Sequence, residues 1–143
     1  MRDKFWDGLY GQSQQVFSLF PDTVPALQKL KERGFRLAII SNWDYSLHRI
    51  VKMLDIEAYF DVIVASLEEG PEKPEPALFQ ITLDRLGVTA GDVIHVGDNP
   101  LDDLQGARAS GLAGALIDRR RLLVAKPYIT SLLEIDEAIA WSS

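Results

Sequence analysis

Gly97-Asp98-Asn99-Pro100-Leu101-Asp102-Asp103 gathers three carboxylates into one short stretch. The stretch follows Asp92-Val93-Ile94-His95-Val96, a run of strand type, and leads into the small-residue helical pattern of residues 104–109, so the acids fall on a strand-to-helix turn. In an open α/β sheet, ligands collect at the carboxyl ends of the strands, and carboxylate oxygens with water are the ligands Mg²⁺ takes. The turn is therefore a candidate metal site. The same residues also make a good helix start without any chemistry, with Asn99 as N-cap, Pro100 at N1 and Asp102 at N3.

Two further polar features fall at comparable places. Ser41, followed by Asn42, sits where an apolar run ends and a helix begins, so its hydroxyl and the backbone N–H groups after it suit a phosphoryl oxygen. Plain N-capping explains Ser41 equally well. Lys73 lies in the proline-stiffened segment Glu72-Lys73-Pro74-Glu75-Pro76, and a solvated loop lysine is the ordinary alternative. A hydroxyl, a lysine and an acidic turn, each placed after a different strand of one parallel sheet, meet at one edge and form a pocket for phosphate and Mg²⁺. His48 and His95 read as packing or surface residues, because neither sits at the carboxyl end of a strand, and Trp43 either borders the pocket or covers the sheet.

The elements that must position these groups are legible in the hydrophobic pattern. Val24, Leu27 and Leu30 recur at helical spacing after Pro21-Asp22-Thr23 and stop at Gly34; the segment 35–40 is a buried strand; Leu47, Ile50, Val51 and Leu54 line one face of a second helix. The segment 60–65 is the next strand, and a helix opened by Pro76 buries Phe79, Leu83 and Leu86 before Gly87. Beyond the acidic turn, Ala115-Leu116-Ile117 and Tyr128-Ile129-Thr130 read as short strands and residues 132–140 as a helix. The alternation predicts an α/β fold, a Rossmann-like parallel sheet covered by helices on both faces.

Composition narrows the classes. A net charge of −6 without a basic stripe argues against nucleic acid and anionic membrane as partners. Arg119-Arg120-Arg121, the one dense basic run, reads as a solvated loop or helix edge. The chain has no cysteine, no apolar run of membrane-spanning length and no signal-peptide pattern at Met1-Arg2-Asp3-Lys4, which together predict a soluble, cytoplasmic protein.

From about residue 20 onward the chain resembles the haloacid dehalogenase superfamily, mostly Mg²⁺-dependent phosphohydrolases on a Rossmann-like core. The segment ending in Ser41-Asn42 resembles that family's second motif, residues 72–76 its third, and Val96-Gly97-Asp98 through Asp103 with Gly106-Ala107 its fourth, in matching order. The resemblance implies that Ser41 and Asn42 hold the phosphoryl group of a small phosphorylated molecule and that Lys73 neutralises its charge. It further implies that Asp98 ligates Mg²⁺, with Asp103 as a further ligand or as the residue that orients Lys73 or a metal-bound water. The Gly-Asp turn favours phosphatases over the metal-free dehalogenases.

The family's first motif, an apolar strand ending in Asp-x-Asp-Gly-Thr that supplies the nucleophile, has no match. Asp7-Gly8-Leu9 mimics its end, but Phe5 stands at the nucleophile position and too little precedes it for a strand. Residues 1–20 instead resemble a remnant of the helical cap, leaving 21–143 as the core. The expectation is a phosphatase-type chain with little or no activity alone, or else a non-catalytic protein that keeps the pocket for phosphate, Mg²⁺ or assembly. In the family the first-motif strand lies between those ending at Ser41 and Val96, so its loss predicts a gap there. Each buried unpaired backbone group costs about 1 to 3 kcal/mol, against a net stability of about 5 to 15 kcal/mol for a domain. Direct pairing of the neighbours, a segment swapped in a homo-oligomer, or a second polypeptide must fill it.

Overall fold

Thr23 to Glu32 forms the first helix, α1, and buries Thr23, Ala26, Leu27 and Leu30 along one stripe. The computed structural model from which these positions come describes residues 18–141, so most of the segment expected to be a cap remnant lies outside the described residues. The chain continues through β1 (Ala38–Ser41), α2 (Ser46–Met53), β2 (Val62–Ala65), the single turn α3 (Ser66–Glu69) and α4 (Pro76–Leu86). Then come β3 (Ile94–Gly97), a π-helical turn at Pro100–Gln105, α5 (Gly106–Ala109), β4 (Ala113–Ile117), β5 (Tyr128–Ile129) and α6 (Ile135–Trp141). Gly87 ends α4 at φ +69°, a left-handed conformation in which its N–H returns to the Leu83 carbonyl at 2.9 Å. Among the described residues no helix is long and apolar enough to cross a membrane.

Among the described residues all strand pairs are parallel, and they form two sheets. β1 pairs with β2 in the register Ala38 to Val62 through Ser41 to Ala65, while β3, β4 and β5 pair in that order. Side chains alternate between two helical layers, as strand geometry requires. Leu37 and Ile39 join Leu27, Leu47 and Val51 under α1 and α2, whereas Ile40 packs on the opposite side with Phe79 and Leu83 of α4. Ile94 and Val96 face Ala138 and Ile135 of α6, and α6 adjoins α1 through ion pairs from Lys29 and Arg33 to Asp136. Helices therefore cover both faces of a parallel α/β architecture. Among the described residues β1 and β3 do not pair with each other, so direct closure of the expected gap is not the solution this chain adopts.

Asp22 ties the two ends of this arrangement together. Its carboxylate accepts from Arg119 at 2.6 Å, from the Leu132 N–H at 2.7 Å and from the Ser131 hydroxyl at 3.1 Å. Arg119 also lies over the Phe20 ring, 3.9 Å from its centroid. The solvated reading of residues 119–121 thus holds for Arg120, 69% exposed, but is corrected for Arg119, which an acid and a ring enclose. Burial raises the Asp22 carboxyl, but the Leu132 N–H and Arg119 outweigh it, and the net shift is below the ordinary 3.8. A depressed folded pKa means that near pH 3.8 the unfolded chain binds more protons, so this stabilisation is complete well above 3.8 and fades as pH falls through it. Asp22→Asn is accordingly expected to cost about 1.5 to 3 kcal/mol in urea unfolding at pH 7, and the deficit should shrink as the pH is lowered toward 3.

Candidate active site

Three carboxyl-terminal strand ends converge, and each side chain there is positioned by a partner that can be named. After β1, the Asn42 amide binds the Lys73 backbone twice: its Oδ1 accepts the Lys73 N–H at 2.8 Å and its Nδ2 donates to the Lys73 carbonyl at 3.0 Å. A loop without secondary structure must satisfy its backbone polar groups somehow, and here one side chain supplies both bonds. Nδ2 also lies 3.5 Å from Asp102 Oδ2. The structure thus uses Asn42, expected to bind phosphate, as the clamp that joins the end of β1 to the Lys73 loop. Ser41 is 8% exposed at the end of β1, and Lys73 is 6% exposed, so the solvated-loop alternative for this lysine does not describe it.

The acidic turn is both a cap and a charged site. Asn99 Oδ1 accepts the N–H groups of Leu101 and Asp102, each at 2.9 Å, which is the helix start expected from Asn99-Pro100, although the first turn is π-helical. Asp103 then folds back against the end of β3. Its Oδ2 accepts the Asn99 N–H at 3.0 Å, and its Oδ1 meets Lys73 Nζ at 2.5 Å and His95 Nε2 at 2.9 Å. Gly97 makes this approach possible, because a Cβ there would stand 2.6 Å from the Cβ of Asp103.

His95 is the residue that sequence reading missed. It lies inside β3, edge-on to Phe79 at 5.2 Å, and reaches Asp103 although it is not at the strand's end. The signal was present: His95 and Gly97 are two residues apart on one strand and share a face, so an acid folded onto Gly97 also lies beside His95. Burial pushes the His95 imidazole below its ordinary 6.5, against the hydrogen bond to Asp103 that pulls it up. Burial would raise the Asp103 carboxyl, but the bond from His95 and the charge of Lys73 prevail and hold it well below the usual carboxylate range. Asp103 is therefore an ionised acceptor, and a neutral His95 donates to it through Nε2–H.

Ser41, Lys73, Gly97, Asp98 and Asp103 line a single cavity of about 200 Å³, with Trp43 on its wall. His48 pairs instead with Glu68 on the exposed surface. Among the described residues no three His, Cys, Asp or Glu side chains converge into a metal-binding group. The three acids of the turn divide their tasks: Asp103 has both oxygens engaged, Asp102 approaches Asn42, and Asp98 lines the cavity. The described residues do not by themselves complete a cage for Mg²⁺, and no chemical step below passes through one.

Residues 4–111 match the haloacid dehalogenase-like hydrolases. The chain belongs to that family. It is 32% identical over 120 residues to haloacid dehalogenase-like hydrolase domain-containing protein 3 of Danio rerio, an alignment covering 82% of this chain and 50% of the relative. It is 33% identical over 110 residues to the phosphoserine phosphatase of Thermus thermophilus, covering 76% of this chain and 44% of that enzyme. The crystal structure of a phosphatase of the family from Thermococcus onnurineus superposes with a TM-score of 0.79 at 30% identity, over 85% of this chain and 58% of that one. The chain thus spans half or less of the length of these curated relatives.

Proposed function

We propose that this chain carries the phosphate-handling part of a haloacid dehalogenase-like phosphatase and turns over little substrate unaided. The observation that carries this reading is the buried Lys73–Asp103 pair on the wall of a cavity that Ser41 also lines. An ammonium has three donors and Asp103 takes one, which leaves donors for the oxygens of a phosphoryl group. The Ser41 hydroxyl supplies another, and Asn42 holds the lysine's backbone in place. Phosphoryl transfer of this type begins when a carboxylate oxygen bonds to phosphorus and the ester oxygen leaves, giving an aspartyl phosphate that water then hydrolyses. The acids lining the cavity among the described residues are Asp98 and Asp103, both on the β3 turn, and Asp103 is fully engaged.

The test is release of p-nitrophenol from p-nitrophenyl phosphate with Mg²⁺ present, together with titration calorimetry of inorganic phosphate. Phosphate binding that weakens in Lys73→Met, with turnover near the buffer blank, is the expected result. Robust turnover that survives Asp98→Ala would overturn the assignment of roles, and absence of phosphate binding would overturn the pocket itself.

A further inference from the structure

Asp103 is held by donors from three separate segments, and they are not alike. Lys73 Nζ and His95 Nε2 share its Oδ1, at 2.5 and 2.9 Å, and the Asn99 N–H reaches its Oδ2 at 3.0 Å. The lysine is the flexible member, because a four-carbon stem lets the ammonium move. The other two donors are fixed in place, one by the backbone of the turn and the other by a ring inside β3.

His95 has little freedom. Its backbone is paired with Gly114 of β4, its side chain is 10% exposed, and its ring stands edge-on to Phe79, with 5.2 Å between centroids and 89° between planes. Phe79 is itself fully buried, and its Cε2 would lie only 2.9 Å from a Cβ on Gly106, so the aromatic ring is wedged against α5 and does not yield to the imidazole. Packing alone does not call for a histidine here, because an enclosed ring N–H costs free energy that a leucine or phenylalanine would avoid. What the imidazole adds at this position is one N–H, and Asp103 receives it.

That N–H changes what Asp103 does to the lysine. A carboxylate turns easily about its last torsion, so an acid held only by Lys73 and one amide would rotate with the ammonium and offer it a second contact. With His95 on Oδ1 and Asn99 on Oδ2, both oxygens are tied to β3 and the turn after it, and the plane of the carboxylate is set without the lysine. Oδ1 has room for about two donors, and His95 occupies one of these sites. We infer that His95 is a positioning residue for Lys73, acting through Asp103: it fixes the carboxylate and fills the second acceptor site of Oδ1, so that the ammonium gives the acid one N–H and keeps the others for an anion in the cavity. The placement of Lys73 rests on these contacts alone; that the anion is a phosphoryl group rests on the phosphatase reading above.

Nuclear magnetic resonance tests the placement, and calorimetry tests its use. In the unmodified protein, imidazole ¹H–¹⁵N correlations should put the proton of His95 on Nε2, facing Asp103; a bare Nε2 overturns the inference before any residue is changed. The two ε-methylene protons of a held lysine have distinct shifts, whereas those of a mobile one average together. Lys73 should show separate shifts in the parent and in His95→Gln, whose amide offers an N–H in the same place, and a single averaged shift in His95→Leu, which offers none. Inorganic phosphate should bind His95→Leu about tenfold more weakly than the parent, the size of one lost hydrogen bond to a charged group, and should bind His95→Gln within about twofold of the parent. A Lys73 as fixed in His95→Leu as in the parent, or a His95→Gln protein no better than His95→Leu, would mean that the ring only fills space and would overturn the inference. Lysine shifts that behave as expected in a chain whose parent form binds no phosphate would uphold the placement of Lys73 and overturn the phosphatase reading.

Discussion

Lys73→Met is expected to lower the free energy of unfolding by about 3 to 5 kcal/mol. The two charges of the Lys73–Asp103 pair are almost wholly enclosed, with side-chain exposures of 6% and 4%. Two ions in such a place pay a desolvation penalty that only their mutual attraction and further hydrogen bonds offset. Removing the ammonium leaves Asp103 with His95 and the Asn99 N–H, both neutral donors, around a buried negative charge. The converse change, Asp103→Leu, should cost less, because an unpaired buried lysine can shed its proton whereas the carboxylate's hydrogen-bond partners stabilise only its charged form. The double variant Lys73→Met/Asp103→Leu removes both charges at once and should be less destabilised than the sum of the singles, by about 0.5 to 3 kcal/mol. Urea unfolding of the four proteins at pH 7 measures this cycle. A Lys73→Met protein within about 0.5 kcal/mol of the parent would mean that solvent, and not the cavity wall, surrounds the pair.

Much of what positions that pair was legible in the residues. Gly34 and Gly87 stop their helices where expected; the segment 60–65 contains β2, while the segment 35–40 overlaps β1, which starts three residues later and runs on to Ser41. Local pattern suffices there because helix stripes and buried strands are set by near neighbours along the chain. Asn99 and Pro100 announced their cap for the same reason. The strand order was another matter: sequence predicts strands and their parallel sense, but which edges are left without a partner depends on the whole set. The gap between β1 and β3 was expected only through the family resemblance, from a strand that has no match in the sequence, and residue pattern alone did not say whether the two neighbours would close it by pairing directly.

The misses share a physical origin, namely contacts between residues far apart in the chain. Arg119 was read with Arg120 and Arg121 as one basic run, yet its partner is Asp22, 97 positions away, and a run of like charges says nothing about which member finds an acid. Asn42 was assigned to phosphate because it follows Ser41, while its amide is committed to the Lys73 backbone 31 positions on. His95 was set aside because it does not sit at the carboxyl end of a strand; what makes it different is a glycine two places further along that lets Asp103 reach back to it.

That glycine carries the second large effect. In Gly97→Ala the new Cβ would overlap the Asp103 carboxyl group, and Asp103 Cβ would lie only 2.6 Å from it, so the side chain has to leave its seat. Leaving breaks the bonds to Lys73, His95 and the Asn99 N–H together, so the carboxylate loses three donors at once and the buried ion pair is separated. Each hydrogen bond to a charged group contributes about 1.5 to 3 kcal/mol, so the loss should exceed about 4 kcal/mol, a magnitude single substitutions rarely reach. Gly91→Ala is the matched control: a Cβ there meets nothing within 4 Å, and its cost should stay within about 0.5 kcal/mol. The decisive comparison is Gly97→Ala introduced into Asp103→Ala. With the carboxylate already gone, the methyl group has little left to displace, and its cost should fall to a small part of its value in the parent. An equal cost in both backgrounds would mean that the glycine serves the path of the strand itself, and that the seat of Asp103 against β3 is not what demands it.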